Sequence, residues 1–128
     1  MASLPSICRR HALTALGLAL AALVAAACGG GRPGPADPAV QRGRAVFDRV
    51  CATCHGRDAR GLPRLGKSLL GNQFTKSLSD DELVQFLKTG RPAFHELNET
   101  GVDMPPKGGD PSIPDDDLRA VVAFLRTL

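Results

Sequence analysis

The chain has 128 residues, of which 43% are hydrophobic but only 4% aromatic, and it contains neither tryptophan nor tyrosine. This length leaves room for one small domain with a thin core of its own. The formal net charge is only +3, which does not indicate nucleic acid as a partner.

Residues 1–27 have the composition of an export signal. A basic stretch at residues 9–11 precedes an apolar run over residues 12–27, which is short for a membrane-spanning helix. Two endings fit. The three alanines at residues 25–27 match ordinary signal cleavage, and the same alanines followed by Cys28 resemble a bacterial lipobox, in which the cysteine takes a diacylglycerol. We favour lipidation of Cys28, because a lone cysteine at the cleavage point of an exported protein is unusual.

Residues 28–38 are rich in glycine and proline and have no apolar face, which predicts a tether rather than packed structure. If Cys28 carries a lipid, this linker connects the anchor to the domain. Residues 39–128 contain the amphipathic patterns and are predicted to form that domain.

The first predicted helix begins at Asp37 and Pro38, a typical N-cap and first helical residue. Small or apolar residues then recur at helical spacing: Val40, Gly43, Phe47 and Val50. The helix runs directly into residues 51–55, which read C-A-T-C-H.

The C-x-x-C-H stretch is the attachment signature of c-type haem. Cys51 and Cys54 lie three positions apart on one helical turn, so that both thiols can form thioethers with the same porphyrin. His55 then supplies an axial imidazole. A structural zinc site would need four protein ligands, and a thioredoxin-like dithiol would need a βαβ surround. The other cysteines, Cys8 and Cys28, belong to the leader, so haem attachment is the favoured interpretation.

Residues 56–71 are predicted to be a loop on the histidine side of the haem, because glycine and proline recur in it. A backbone carbonyl near Pro63 can accept the second ring N–H of His55, although an ordinary turn proline fits equally well. Ser79 and Glu82 form an S-x-x-E capping box that predicts the next helix, which Gly90 ends.

Residues 91–111 have no sustained periodicity and contain Met104, which two prolines follow. Once Met1 leaves with the leader, Met104 is the remaining methionine, and its thioether on a stiff loop is a candidate sixth iron ligand. The alternative for Met104 is an ordinary core position, since a lone methionine is more often a core residue. The rival sixth ligand is His95, although a histidine in a polar loop is usually solvated. Residues 115–128 form the last predicted helix, whose apolar side contains Leu118, Val121, Val122, Phe124, Leu125 and Leu128.

In this order of helix, C-x-x-C-H, loop, helix, methionine loop and helix, the chain resembles class I cytochromes c. Gly43 and Phe47 look like the family's first-helix motif, which packs against an aromatic residue of the last helix, here Phe124. The resemblance implies an all-α cytochrome c fold, with three to four helices wrapped around one covalently bound haem c. The chain is also similar to bacterial monohaem lipoprotein cytochromes, including the monohaem subunit of alternative complex III.

This resemblance implies an electron-transfer protein rather than an enzyme. With His55 and Met104 both bound, the iron has no open position for a small-molecule substrate. The expected setting is a membrane-associated respiratory chain on the periplasmic face of a bacterial membrane, with redox proteins as partners. The alternative is an open or weakly held sixth site that serves a gas or peroxide sensor or enzyme. A third possibility is the redox arm of a larger oxidoreductase.

The tryptophan and tyrosine that contact the haem propionates in mitochondrial relatives have no counterpart here, and Arg64, Lys67 and Asn72 are candidate substitutes. Charge is unevenly distributed along the chain. Residues 42–67 hold seven basic and two acidic residues, and residues 96–117 hold one basic and seven acidic residues. The segregation predicts a dipole that orients docking near the haem edge at Cys51.

Overall fold

The computed structural model describes residues 34–128, and within them the regular secondary structure is helical, with loops between the helices and two isolated bridges between single residues. The helices are α1 (Pro38–Val46), α2 (Ala52–His55), α3 (Gln73–Ser77), α4 (Asp80–Thr89) and α5 (Asp115–Leu125). A π-helical turn (Phe47–Cys51) joins α1 to α2, and a tight turn (Pro106–Gly109) precedes α5. The all-α prediction is confirmed for this part of the chain. The predicted signal at residues 1–27 and the lipid site Cys28 lie outside the described residues.

The predicted helix starts are present. The Asp37 carboxylate accepts a hydrogen bond from the Ala39 N–H at 2.8 Å, and α1 begins at Pro38, the last residue of the predicted linker. At α4, the Glu82 carboxylate accepts from the Ser79 N–H at 2.8 Å, and the Ser79 hydroxyl accepts from the Glu82 N–H at 3.3 Å. Hydrogen bonds from Ser79 lower the pKa of the Glu82 carboxyl, so this cap stabilises the helix at neutral pH and is lost as the pH falls through that pKa.

Helices α1 and α5 pack closely at a glycine and an aromatic pair. Gly43 is buried, and a Cβ placed on it would lie 1.8 Å from the Ala120 carbonyl oxygen. The rings of Phe47 and Phe124 are 5.1 Å apart between centroids and tilted by 55°. The predicted packing between the first and last helices is therefore present, and it fixes the helix that leads into residues 51–55.

We expect Gly43→Ala to destabilise the protein by about 3 kcal/mol, at the upper end of overpacking effects. The added methyl would meet α5 backbone, which cannot move aside as a side chain can. Denaturant unfolding of the haem-loaded protein measures the change. Gly34→Ala is the matched control, since a Cβ there meets nothing within 4 Å. An equal stability for both variants would contradict the close packing.

An apolar cluster brings α1, α4 and α5 together and contains Val46, Leu83, Val84, Leu87, Ile113, Leu118, Val121 and Val122. Met104 packs against this cluster and is half-buried. The loop that carries the methionine therefore packs on the α4–α5 pair.

Candidate functional site

A cavity of about 230 Å³ lies between the π-helical turn, α2, α4, α5 and the segments at residues 65–75 and 97–108. Much of its wall is apolar and includes Val46, Phe47, Leu83, Leu87, Leu118 and Val121. Protein interiors contain few voids larger than a water molecule. A cavity of this size among the helices therefore indicates a binding site for an apolar group rather than a packing defect.

Cys51, Cys54, His55 and Met104 all line this one cavity. The two cysteines are free thiols and partly buried. Burial raises the pKa of the Cys51 thiol to about 11, so this thiol is protonated at neutral pH. The fold therefore brings together the four residues that were predicted from the sequence. The two most distant of them, Cys51 and Met104, are 53 positions apart in the chain.

The histidine is oriented by a backbone carbonyl of the following loop. His55 Nδ1 lies 2.8 Å from the Lys67 carbonyl oxygen. Because a carbonyl can only accept, Nδ1 carries the proton and Nε2 keeps its lone pair for a metal. The expected kind of bond is present, but the acceptor is Lys67 and not Pro63.

The histidine-side loop is tied closely to the helix beneath it. The Leu62 N–H donates to the Cys54 carbonyl at 3.1 Å, and the Gly61 N–H donates to the His55 carbonyl at 2.8 Å. A Cβ on Gly66 would lie 2.3 Å from the Cys54 carbonyl oxygen. The approach that places the Lys67 carbonyl beside His55 thus requires glycine at position 66.

Met104 is fixed by pairing with the residue that follows α4. The N–H of each residue of the Arg91–Met104 bridge donates to the carbonyl of the other at 2.8 Å. Gly90 has φ +72°, and a Cβ on it would lie 2.1 Å from the Met104 carbonyl oxygen. The end of α4 therefore sets the position of the methionine backbone.

We expect Gly90→Ala to displace Met104 from the cavity. The long-wavelength absorption band of a methionine–iron bond should weaken, and the reduced protein should take up carbon monoxide. Gly101→Ala is the matched control, because Gly101 has a similar φ of +68° but nothing within 4 Å of its Cβ position. A Gly90→Ala protein with the full methionine band would contradict this account of the clash.

Of the rival iron ligand and the candidate propionate partners, some line the cavity and some lie at the surface. His95 is exposed and does not line the cavity, and its Nδ1 accepts from the Leu97 N–H at 3.1 Å. Of the candidate propionate partners, Lys67 and Asn72 line the cavity and Arg64 does not. Arg91 also lines the cavity. It was not predicted from the sequence, because the G-R-P run after α4 does not reveal which way the guanidinium points.

This donor set fits a covalently attached haem. Two thiols, an imidazole with a free Nε2 and a thioether meet in an apolar cavity. Within residues 34–128, no group of three or more histidine, cysteine, aspartate or glutamate side chains could hold a bare metal ion. The zinc alternative therefore finds no support in this part of the chain.

The sequence model of one protein family, described as cytochrome C oxidase, cbb3-type, subunit III, matches residues 38–125. The match begins at the first residue of α1 and ends at the last residue of α5, and it covers well over half of the chain. No curated protein and no solved structure matches the chain.

Proposed function

We propose that this chain, which belongs to the cbb3-type cytochrome c oxidase subunit III family of class I c-type cytochromes, carries single electrons on a haem ligated by His55 and Met104. Members of this family hold haem c covalently, and Cys51 and Cys54 have the required spacing. The family supports electron transfer with redox protein partners. The oxidase subunit in the family description supports a respiratory chain as the setting.

One observation carries the ligand assignment: Met104 and His55 line the same cavity as the two cysteines, whereas the rival His95 is exposed outside it. When bound, haem c supplies an iron that accepts and returns one electron. Methionine in the sixth position raises the reduction potential relative to a second histidine.

The chain's own residues hold and tune this site. The Lys67 carbonyl fixes the tautomer of His55 and makes its Nε2 a stronger donor. The Arg91–Met104 bridge holds the thioether loop in place. The apolar side chains of α4 and α5 that line the cavity lower the polarity around the site, which also favours a relatively high potential.

Docking of redox partners is proposed at the mouth of the cavity. Leu65 and Leu97 both line the cavity and are 37% and 51% exposed. Ion pairs join Arg42 to Asp117 and Arg49 to Asp110, and so connect the basic stretch of the sequence to the acidic one. The two stretches are thus less separated in space than along the chain, and we expect a weaker docking dipole than the sequence predicts.

Export and lipid anchoring are proposals that depend on the first 28 residues. Cytochrome c domains are typically exported and periplasmic. None of the helices in residues 34–128 is long and apolar enough to cross a bilayer. A lipid on Cys28, with residues 28–38 as a tether, would keep the domain near membrane partners and raise its effective concentration there. Mass spectrometry of the mature protein would report haem and acyl masses together, and a chain that still carries residues 1–27 would contradict the proposal.

Spectroscopy of the wild-type holoprotein tests the ligand assignment. We expect a low-spin, six-coordinate iron with a methionine–iron absorption band and no uptake of carbon monoxide at neutral pH. The alternative, a gas- or peroxide-binding haem, requires an open or weakly held sixth position. A high-spin, five-coordinate spectrum would overturn the proposed electron-carrier role and favour that alternative.

A further inference from the structure

Arg91 is a cation in the cavity wall that forms none of the ion pairs found in residues 34–128. It is half-buried. The other arginines without an ion pair in that part of the chain are Arg57 and Arg64, and both are exposed and lie outside the cavity wall. A half-buried guanidinium without a carboxylate partner is stabilised when an anion binds beside it.

The guanidinium is held in a fixed orientation. Its Cζ lies 4.4 Å from the ring centroid of Phe74 and 4.9 Å from that of Phe86. Nη1 donates to the Leu97 carbonyl at 3.1 Å. Arginine has five N–H donors in a planar fork, so most of them have no acceptor among the described residues. The group is thus pre-organised, with donors left over.

The other charged groups that line the cavity are already engaged within the described residues. Lys67 pairs with Glu99. The Asp103 carboxylate accepts from the Ala93 N–H at 2.5 Å. Lys107 donates to the carbonyls of Pro111 and Ile113 at 3.2 and 2.6 Å. Arg91 is therefore the cation of the wall best placed to take an anion inside the cavity.

We infer that Arg91 binds a propionate carboxylate of the haem with the free donors of its guanidinium. The inference rests on the proposed function, since it needs haem in this cavity. Each haem carries two propionates that are anionic at neutral pH, and the planar fork of arginine matches the two oxygens of a carboxylate. Of the substitutes named from the sequence, Arg64 is excluded from this role by its position outside the cavity.

The same residue connects the propionate to the sixth ligand. The Arg91 backbone pairs with Met104, and its side chain reaches the carboxylate. A positive charge near the iron stabilises the reduced state, which has one positive charge fewer. Arg91 therefore both orients the haem edge and raises the reduction potential.

The test compares three variants of the holoprotein. Arg91→Met keeps a flexible apolar stem against the two phenylalanines but removes the charge, and Arg91→Lys keeps the charge without the fork. Arg119→Met is the control, because Arg119 is exposed, lies outside the cavity and pairs only with Asp116 in the described residues. We expect Arg91→Met to lower the reduction potential while the six-coordinate spectrum persists. Arg91→Lys should have a potential closer to the wild-type value than that of Arg91→Met, and Arg119→Met should leave the potential near the wild-type value.

A second readout reports the carboxylate directly. The propionate band in the redox-difference infrared spectrum should shift in Arg91→Met and Arg91→Lys but not in Arg119→Met. An unchanged potential and an unchanged band in Arg91→Met would overturn the inference, and the proposed function would still stand, because the wild-type spectrum tests it. If Arg91→Met yields no holoprotein, Arg91→Lys decides: recovery of the holoprotein supports the inference, and equal failure overturns it.

Discussion

Replacement of Met104 with histidine is expected to lower the reduction potential by on the order of 0.2 V, a part of the ≈ 0.8 V over which axial ligands set haem potentials. A thioether favours reduced iron more than an imidazole does. Met104 is the single methionine of residues 34–128 and lines the cavity with His55. A redox titration followed by absorbance measures the shift, and the methionine–iron band should disappear.

The Met104→Ala variant tests the effect of removing the sixth ligand, whereas Met104→His replaces it with a different one. Alanine cannot coordinate, so the reduced variant should bind carbon monoxide at neutral pH while its covalent haem content stays unchanged. His95→Ala serves as the control, because His95 lies outside the cavity, and it should keep the wild-type potential and spectrum. If His95→Ala and not Met104→Ala opened the iron to carbon monoxide, the ligand assignment would be wrong.

The double substitution Cys51→Ala and Cys54→Ala is expected to abolish covalent haem attachment completely. Both thiols line the cavity, and no other cysteine lies in the described part of the chain. Denatured protein analysed by mass spectrometry should therefore lack the mass of haem. Haem that still enters the cavity should be removed by denaturation, since only ligand bonds to the iron would retain it.

Variants that replace a single cysteine, at the haem motif or at residue 28, refine this test. Cys51→Ala and Cys54→Ala should each keep one thioether and remain haem-linked. Cys28→Ser should keep the full haem mass and lose the acyl group, because residue 28 belongs to the proposed anchor. Haem loss in Cys28→Ser would mean that the attachment sites have been assigned wrongly.

Features that depend on short spacing could be predicted from the sequence. The C-x-x-C-H stretch places two thiols and an imidazole by local helical geometry, and the Asp37 and Ser79 caps bond to residues two or three positions away. The packing of Gly43 and Phe47 on the last helix was also anticipated, but from a family resemblance and not from spacing. The short helix α3 and the π-helical turn were not predicted, because neither has a periodic pattern long enough to detect.

By itself the sequence determined the attachment chemistry, because Cys51, Cys54 and His55 lie within five consecutive residues. Met104 could be named as a candidate ligand because it is the single methionine of residues 34–128, and helical periodicity together with the family resemblance indicated the helical class. Only the tertiary structure decided that the Lys67 carbonyl and not that of Pro63 orients His55, that His95 lies outside the cavity, and that Arg91 faces into it. It also placed Asp110 and Asp117 beside arginines from the basic stretch. These outcomes depend on contacts between distant segments, and the direction of a side chain across such a contact is fixed by packing rather than by local sequence.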